Sequence, residues 1–428
     1  MKNESWQRPL TGIEQWSWFF DRAAALNLVI VARVSGRVDP DRLRLALKNL
    51  AEYYPHLTAR IEPGRPPRFV AGAGLISLTV RPLLPGAWQT IAEQEVNTQF
   101  ATETGPLVRA FLLDGSDSAE LILNLNHVVG DGQSGVLIMK ELLELYSGRA
   151  PHASPQPDVL EPPLRSLFKS RLKAWWIAIK MYQLSRRMTP IPPERWVPVL
   201  ERRTGLISVQ LTGAVMEPLL AAARMHGATV HGAFVAAMLM AIEQEMRGSN
   251  NDLAGKILGC ATPVDLRRKT VISEDAVGNL LSGVMSSHRV HQDSSFWVLA
   301  AEVSEAVRVT SASGDLLALA HLQDMTAAQV RDLEKTMATA ERFNRAAAIA
   351  TNLGRLDFGT SYGPLKLDHI GFVVSNNANA GASLVLCAVT IADTCSLNFS
   401  YAEPLLSKER AQRLVDDIVT RLQGAILM

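Results

Sequence analysis

Residues Leu121 to Tyr146 read LILNLNHVVGDGQSGVLIMKELLELY. Leu121, Leu123 and Leu125 alternate with polar Asn124 and Asn126, the period-two pattern of a strand, and from Gln133 the apolar residues recur at helical spacing. A strand therefore runs into a helix through the six-residue turn His127-Val-Val-Gly-Asp-Gly132. An imidazole, with an ordinary pKa of about 6.5, both takes and returns a proton near neutrality, so His127 at a strand end is a candidate general base. The same residues have a structural reading. Asp131 can cap the free N–H groups of the helix, Gly130 and Gly132 can let the chain turn, and His127 continues the leucine parity and can pack in the core. Spacing alone leaves both open.

Composition narrows the field. The chain has 428 residues, 47% apolar and 20% charged, enough to bury a large core in two or three domains. A net charge of +1 argues against nucleic acid as the main partner. Cys260, Cys387 and Cys395 have neither disulfide-framework nor zinc spacing and read as buried thiols. MKNESWQRPL at the start has no signal-peptide core, and no apolar run reaches the roughly 20 residues of a membrane helix. The setting expected is cytoplasmic.

Outward from the motif, Leu10–Ala24 reads as a helix with Thr11 and Glu14 as a capping box, followed by a strand over Leu26–Val34. Asp39 and Pro40 open a second helix with Leu43, Leu47 and Leu50 on its buried stripe, ended by Pro55; His56 sits at the corner beyond it and reads as solvated. Strands fall in Arg68–Pro85 and Leu107–Leu113, around a helix at Trp88–Gln99. GRAPHASPQPDVLEPP, from Gly148, holds five prolines and reads as a linker, placed at 151–165, between an N-terminal lobe (1–150) and a C-terminal lobe (166–428).

Leu167–Arg187 is basic and aromatic without an acidic residue. It fits a crossover helix that buries Trp175, Trp176 and Ile179, an amphipathic helix on anionic lipid, or a face toward an acidic carrier protein or coenzyme A phosphates. Then come a strand at Leu206–Leu211, a helix capped by Thr229 with a neutral, structural His231, and a buried strand at Ile257–Thr262 entering Pro263-Val-Asp-Leu-Arg267. Helices are expected over Phe296–Val309 and Ala327–Ala350, strands over His369–Asn376, Ser383–Ile391 and Ser396–Tyr401, and a closing helix from Ser407. Gly359-Thr-Ser-Tyr-Gly363 satisfies G-x-S-x-G formally, but a strand pattern follows it where a nucleophile elbow needs a helix.

Asn126-His127-Val-Val-Gly-Asp131-Gly132 resembles the HHxxxDG signature of the condensation-domain superfamily of HxxxD(G) acyltransferases, which takes in peptide-synthetase condensation domains, polyketide-associated acyltransferases and alcohol O-acyltransferases. Asn126 replaces the first His, a departure that points away from a typical peptide-bond-forming domain. Tyr54-Pro-His-Leu57 is similar to the superfamily's early "hPxL" turn, Val277-Gly-Asn279 to its "G-N" element, and Thr351-Asn-Leu-Gly354 to its "sNlG" strand edge. The resemblance implies an α/β architecture of two chloramphenicol-acetyltransferase-like lobes, each a mixed sheet flanked by helices, in a V with a central tunnel. It implies His127 as base, an Asp131–Arg267 ion pair holding the motif loop, oxyanion donors at the Gly130–Gly132 turn, and Asn126, Asn279, Asn352 and Ser375 along the tunnel.

The activity implied is transfer of an acyl group from acyl-coenzyme A or acyl-phosphopantetheine, a substrate rather than a bound cofactor, to an alcohol or, second, an amine. Such work belongs to secondary metabolism or to lipid or polyketide biosynthesis. An acyl or peptidyl carrier protein is a possible partner, and a monomer is expected. The alternatives are a stand-alone condensation domain forming amides and a catalytically idle homologue that recruits partners.

Overall fold

The computed structural model describes residues 6–72, 74–149, 170–249, 256–267, 273–327, 329–330, 332–377 and 383–428. The proline-rich linker at 151–165 lies outside them. Two six-stranded mixed sheets carry the fold. The first runs Ser361–Tyr362, Leu365–Val374, Asn27–Ser35, Ser118–Asn126, Val108–Asp114, Ser77–Pro82, antiparallel except for the last pair. The second runs Leu281–Arg289, Ile257–Asp265, Ala348–Arg355, Leu384–Ile391, Thr394–Glu403, Arg203–Leu211, with Ala348–Arg355 parallel to both neighbours. A small sheet of Gln7–Pro9, Arg68–Val70 and Arg60–Glu62 sits beside the first.

The sheets do not divide where the linker does. The hairpin over residues 361–374 comes after Ala348–Arg355 of the second sheet in sequence, yet it pairs with Asn27–Ser35 in the first. Its strand Leu365–Val374 is also stitched to the second sheet. Asn398 Nδ2 donates to the Phe372 carbonyl at 2.9 Å and Ser396 Oγ to that of Ile370 at 2.6 Å. A second clasp lies at the other end, where the Asn97 side chain accepts from the Thr204 N–H at 2.8 Å and donates to the Thr204 carbonyl at 2.8 Å.

Local signals explain most helix starts. Thr11 and Glu14 form the reciprocal capping box, and Asp39 caps Pro40–Tyr53 by accepting from the N–H groups of Asp41 and Arg42. Thr229 Oγ1 accepts from the Gly232 N–H at 3.0 Å at the start of Val230–Ser249, and Ser407 caps Lys408–Ala425. Leu43, Leu47 and Leu50 are buried as their spacing requires, and all three cysteines are buried thiols.

Three expectations need correction. A single helix over Ala327–Ala350 does not form: one helix ends at Ala327, Asp332 caps another over Leu333–Phe343, and Ala348 opens a central strand. Alanine favours helix locally, but here the small buried residues fit between two parallel neighbours, and tertiary pairing overrides propensity. His56 is buried, not solvated; burial and the Arg8 charge push its imidazole down to about 3. Trp175, Trp176 and Ile179 are exposed, because the helix Arg171–Arg187 turns Ala174, Ile177 and Ser185 to the body instead.

Candidate active site

The motif forms as its parity dictates. The strand Ser118–Asn126 ends at Asn126, His127 opens the turn, and the helix Gly132–Ser147 starts from Asp131 as N-cap. The backbone N–H of His127 donates to the Leu26 carbonyl at 2.9 Å. From Ala119 to Asp131 every residue is buried except His127, which is partly exposed. His127 is therefore fixed through its backbone at the end of the buried strand, and it is the one residue of this stretch that keeps some exposure.

Its neighbours come from elements far away in the chain. Asn279 Nδ2 donates to the His127 carbonyl at 2.9 Å and to Ser17 Oγ at 3.0 Å, and lies 3.5 Å from His127 Nδ1. Burial holds the His127 imidazole below 6.5, against a hydrogen bond to its own backbone carbonyl and the negative charge of Asp131, which both raise it. At neutral pH the ring is uncharged.

Asp131 has no spare capacity for proton transfer. Its carboxylate accepts from Arg267 Nη1 at 3.0 Å and Nη2 at 3.1 Å, from the Ser134 N–H at 2.8 Å and from the Leu280 N–H at 2.9 Å. Burial alone would raise this carboxyl; the Arg267 charge, with these hydrogen bonds, brings it below its ordinary 3.8. Arg267 in turn donates through Nε to the Ala276 carbonyl at 2.8 Å and through Nη1 to Asp265 at 2.8 Å. Burial would lower its pKa, and Asp131 and Asp265 raise it.

Ser134 completes this cluster and was not legible as a participant. Its Oγ accepts from Arg267 Nη2 at 2.8 Å and from the Gly278 N–H at 3.0 Å, and donates to the Gly278 carbonyl at 2.7 Å. Its place three residues after the cap was the one available signal. The glycines have a spatial role: neither Gly130 nor Gly132 has a positive φ. A Cβ on Gly130 would meet Ser134 Cβ at 2.8 Å, and one on Gly132 would meet Leu353 and Phe372 side-chain carbons at 3.3 Å.

A cavity of about 540 Å³ opens between the lobes beside this turn. Gly132, Gln133 and Lys140 line it from the motif helix, Val264 and Leu281 from the second sheet, and Asn352 and Phe358 from the end of Ala348–Arg355 and beyond. Asp131 and Gly132 are on its wall and His127 is not. Of the residues expected along a tunnel, Asn352 lines this cavity and Asn279 contacts His127. Asn126 and Ser375 do neither: both are fully buried, Asn126 accepting from the Val128 N–H at 3.1 Å and Ser375 donating to the Val96 carbonyl at 2.6 Å. One step along a strand turns a side chain to the opposite face, which separates Asn126 from His127.

The other candidate motif does not assemble. Ser361 and Tyr362 form a short strand turning through Gly363 into Leu365–Val374, with no following helix to make an elbow. His231 is neutral and structural as expected, pushed down to about 4 by burial, with Nε2 3.1 Å from Thr262 Oγ1.

A family profile described as Condensation domain matches residues 9–427. One of the linear gramicidin synthase proteins of Brevibacillus parabrevis is 26% identical over 332 residues, 72% of this chain but 6% of that much longer protein. Among solved structures, the trichothecene 15-O-acetyltransferase TRI3 of Fusarium sporotrichioides superposes with a TM-score of 0.75 at 15% identity, covering 99% of this chain and 96% of its own. The first condensation domain of the calcium-dependent antibiotic synthetase, with a substrate analogue, gives 0.74 at 16% identity, covering 99% and 97%. These likenesses establish the shared fold of two lobes, each a mixed sheet flanked by helices. With the profile spanning nearly the whole sequence, the chain belongs to the condensation-domain family.

Proposed function

We propose that the protein is an acyltransferase that moves an acyl group from a coenzyme A or carrier-bound phosphopantetheine thioester directly to an alcohol, with His127 as general base. The observation carrying this reading is the neutral imidazole of His127, a partly exposed residue whose backbone is held at the strand end by the Leu26 carbonyl and by Asn279. Nδ1 lies against Asn279 and the His127 carbonyl, so Nε2 is the atom turned to the acceptor. It takes the hydroxyl proton as the oxygen attacks the thioester carbonyl. The C–S bond of the resulting tetrahedral species then breaks, and the proton passes to the departing thiolate.

No covalent enzyme intermediate is needed, because a thioester already has a good leaving group and alignment of the two substrates supplies much of the acceleration. The turn Gly130–Gly132 provides backbone N–H groups for the oxyanion. Asp131 and Arg267 hold that turn and do not touch substrate.

Amide formation between carrier-bound partners is the second reading, favoured by the peptide-synthetase relatives at 24–27% identity. The replacement of the motif's first His by Asn126 favours the alcohol. The test is a matrix of acyl-coenzyme A donors against small alcohols and amines, read by thiol release. Turnover with alcohols that disappears in His127→Ala supports the proposal. Turnover in His127→Ala within a few-fold of wild type removes His127 from the role, and turnover with amine-loaded carrier alone moves the assignment to amide formation.

A further inference from the structure

We propose that the helix Arg171–Arg187 seats the protein peripherally on an anionic lipid surface. The acyl-transfer reading does not use this helix. Ala174, Ile177 and Ser185 hold it to the body, Ser185 Oγ donating to the Phe343 carbonyl and Tyr182 packing its ring 4.9 Å from that of Phe343. At about 100° per residue, Trp175, Ile179, Leu172 and Trp176 fall on one continuous arc of the opposite surface, with Tyr182, half-exposed beside Phe343, at its margin. All five are exposed, Leu172 at 85% and Trp176 at 68%.

Apolar burial alone would turn such side chains inward, so an outward stripe of two indoles, a phenol and two aliphatic chains marks a contact surface. Lys173, Lys180 and Arg187 follow one edge of the arc, and Arg171 and Arg186 complete five cations with no acidic residue on the helix. Asp315 lies 3.9 Å from Lys173 and 3.8 Å from Lys180, and the helix itself carries five cations against no acid. The sequence immediately before, Leu164-Arg-Ser-Leu-Phe-Lys169, extends the composition with two more cations and no acid.

Charge complementarity selects an anionic occupant. Of the anionic surfaces, lipid matches best: indole and phenol rings settle at the headgroup level, aliphatic chains reach the acyl boundary, and cations along the edge meet headgroup phosphates. The attachment is in the plane of the surface, since no single helix among the described residues is long and apolar enough to cross a membrane.

Flotation of the full chain with phosphatidylcholine vesicles, with and without about 30% phosphatidylglycerol, tests this. Binding to the anionic vesicles should exceed binding to neutral ones by about tenfold and weaken with salt. Trp175→Ala/Trp176→Ala should weaken it about tenfold, and Arg186→Ala/Arg187→Ala by more than tenfold, since each cation near such a surface contributes about fivefold. These side chains are exposed, and an unchanged thermal midpoint checks that the variants fold. Equal binding to both vesicle types, or wild-type binding by the Trp variant, overturns the proposal. So does a Trp variant that binds vesicles normally but loses transfer from an acyl carrier protein, which would make the face a carrier-docking surface.

Discussion

Replacing Arg267 by methionine strands a carboxylate. The guanidinium is fully shielded from solvent and makes two contacts to Asp131, at 3.0 and 3.1 Å, besides those to Asp265, Ser134 and the carbonyls of Ala276 and Gly278. Methionine fills most of the volume but leaves Asp131 with only the N–H groups of Ser134 and Leu280. Breaking a buried pair from one side costs about 3–5 kcal/mol, against a total stability of about 5–15 kcal/mol. At roughly 2 °C per kcal/mol for a large domain, the thermal midpoint should fall by about 6–10 °C.

The pH dependence gives an independent sign. In the wild type the Asp131 pKa is depressed, so its stabilising contribution is present above 3.8 and lost as pH falls through the folded value. In Arg267→Met burial acts with little opposition and raises that pKa, so the variant is relieved as pH falls and Asp131 takes up a proton. Chemical unfolding at neutral pH and at about pH 5 should therefore show the gap between the two proteins narrowing on acidification. Asp131→Asn combined with Arg267→Met should cost less than the sum of the two single changes. A midpoint for Arg267→Met within 2 °C of wild type, or a gap that widens in acid, refutes the account of Asp131 as a buried charge held by Arg267.

His127→Ala should lower the transfer rate by about 10²–10⁴-fold with the thermal midpoint little changed, because the anchoring contacts of His127 are made by its backbone, through the N–H to Leu26 and the carbonyl to Asn279. In the pH profile of kcat/KM, the acid limb should lie below 6.5, since burial depresses the His127 pKa and activity is lost only when the ring becomes protonated; a limb above 6.5 contradicts that environment. Ser134→Ala leaves Arg267 and Gly278 each short of a partner and should destabilise by about 1–3 kcal/mol in equilibrium unfolding, with KM little changed. Gly130→Ala drives a methyl to 2.8 Å from Ser134 Cβ and should lower both stability and rate, measured together by calorimetry and thiol release.

The sequence was most informative where local and tertiary signals agree. The alternation through Leu125 and the cap at Asp131 place the strand, turn and helix of the motif, and the capping box at Thr11 places the first helix. The link from Arg267 to Asp131 came from family resemblance, and the structure gives it geometry. Contacts between elements distant in sequence were not readable. Asn279 reaches His127 from 152 residues away and is itself held by Ser17, and no periodicity marks which side chains will meet. Asn126 and Ser375 were implied as tunnel residues by the resemblance, yet both are buried: Asn126 closes its strand with the side chain inward, and Ser375, just past the end of Leu365–Val374, is tied to the Asn27 and Val96 backbone. The alanines near 346–350 carried a helix signal that only pairing with two neighbouring strands could overrule.

The hairpin over residues 361–374 sets a schedule for biosynthesis. Until it emerges, Asn27–Ser35 is the open margin of a half-built first sheet, with a full row of backbone donors and acceptors facing outward. The ribosome delivers Leu365–Val374 roughly 250 residues after the motif strand, about 12–50 s later at elongation rates of about 5–20 residues per second. During that interval the nascent chain offers a ready template for mispairing with other chains. Chaperone occupancy on ribosome-bound intermediates should peak there, and any gene truncation or recombination joint placed between the lobes would make that transient hazard permanent.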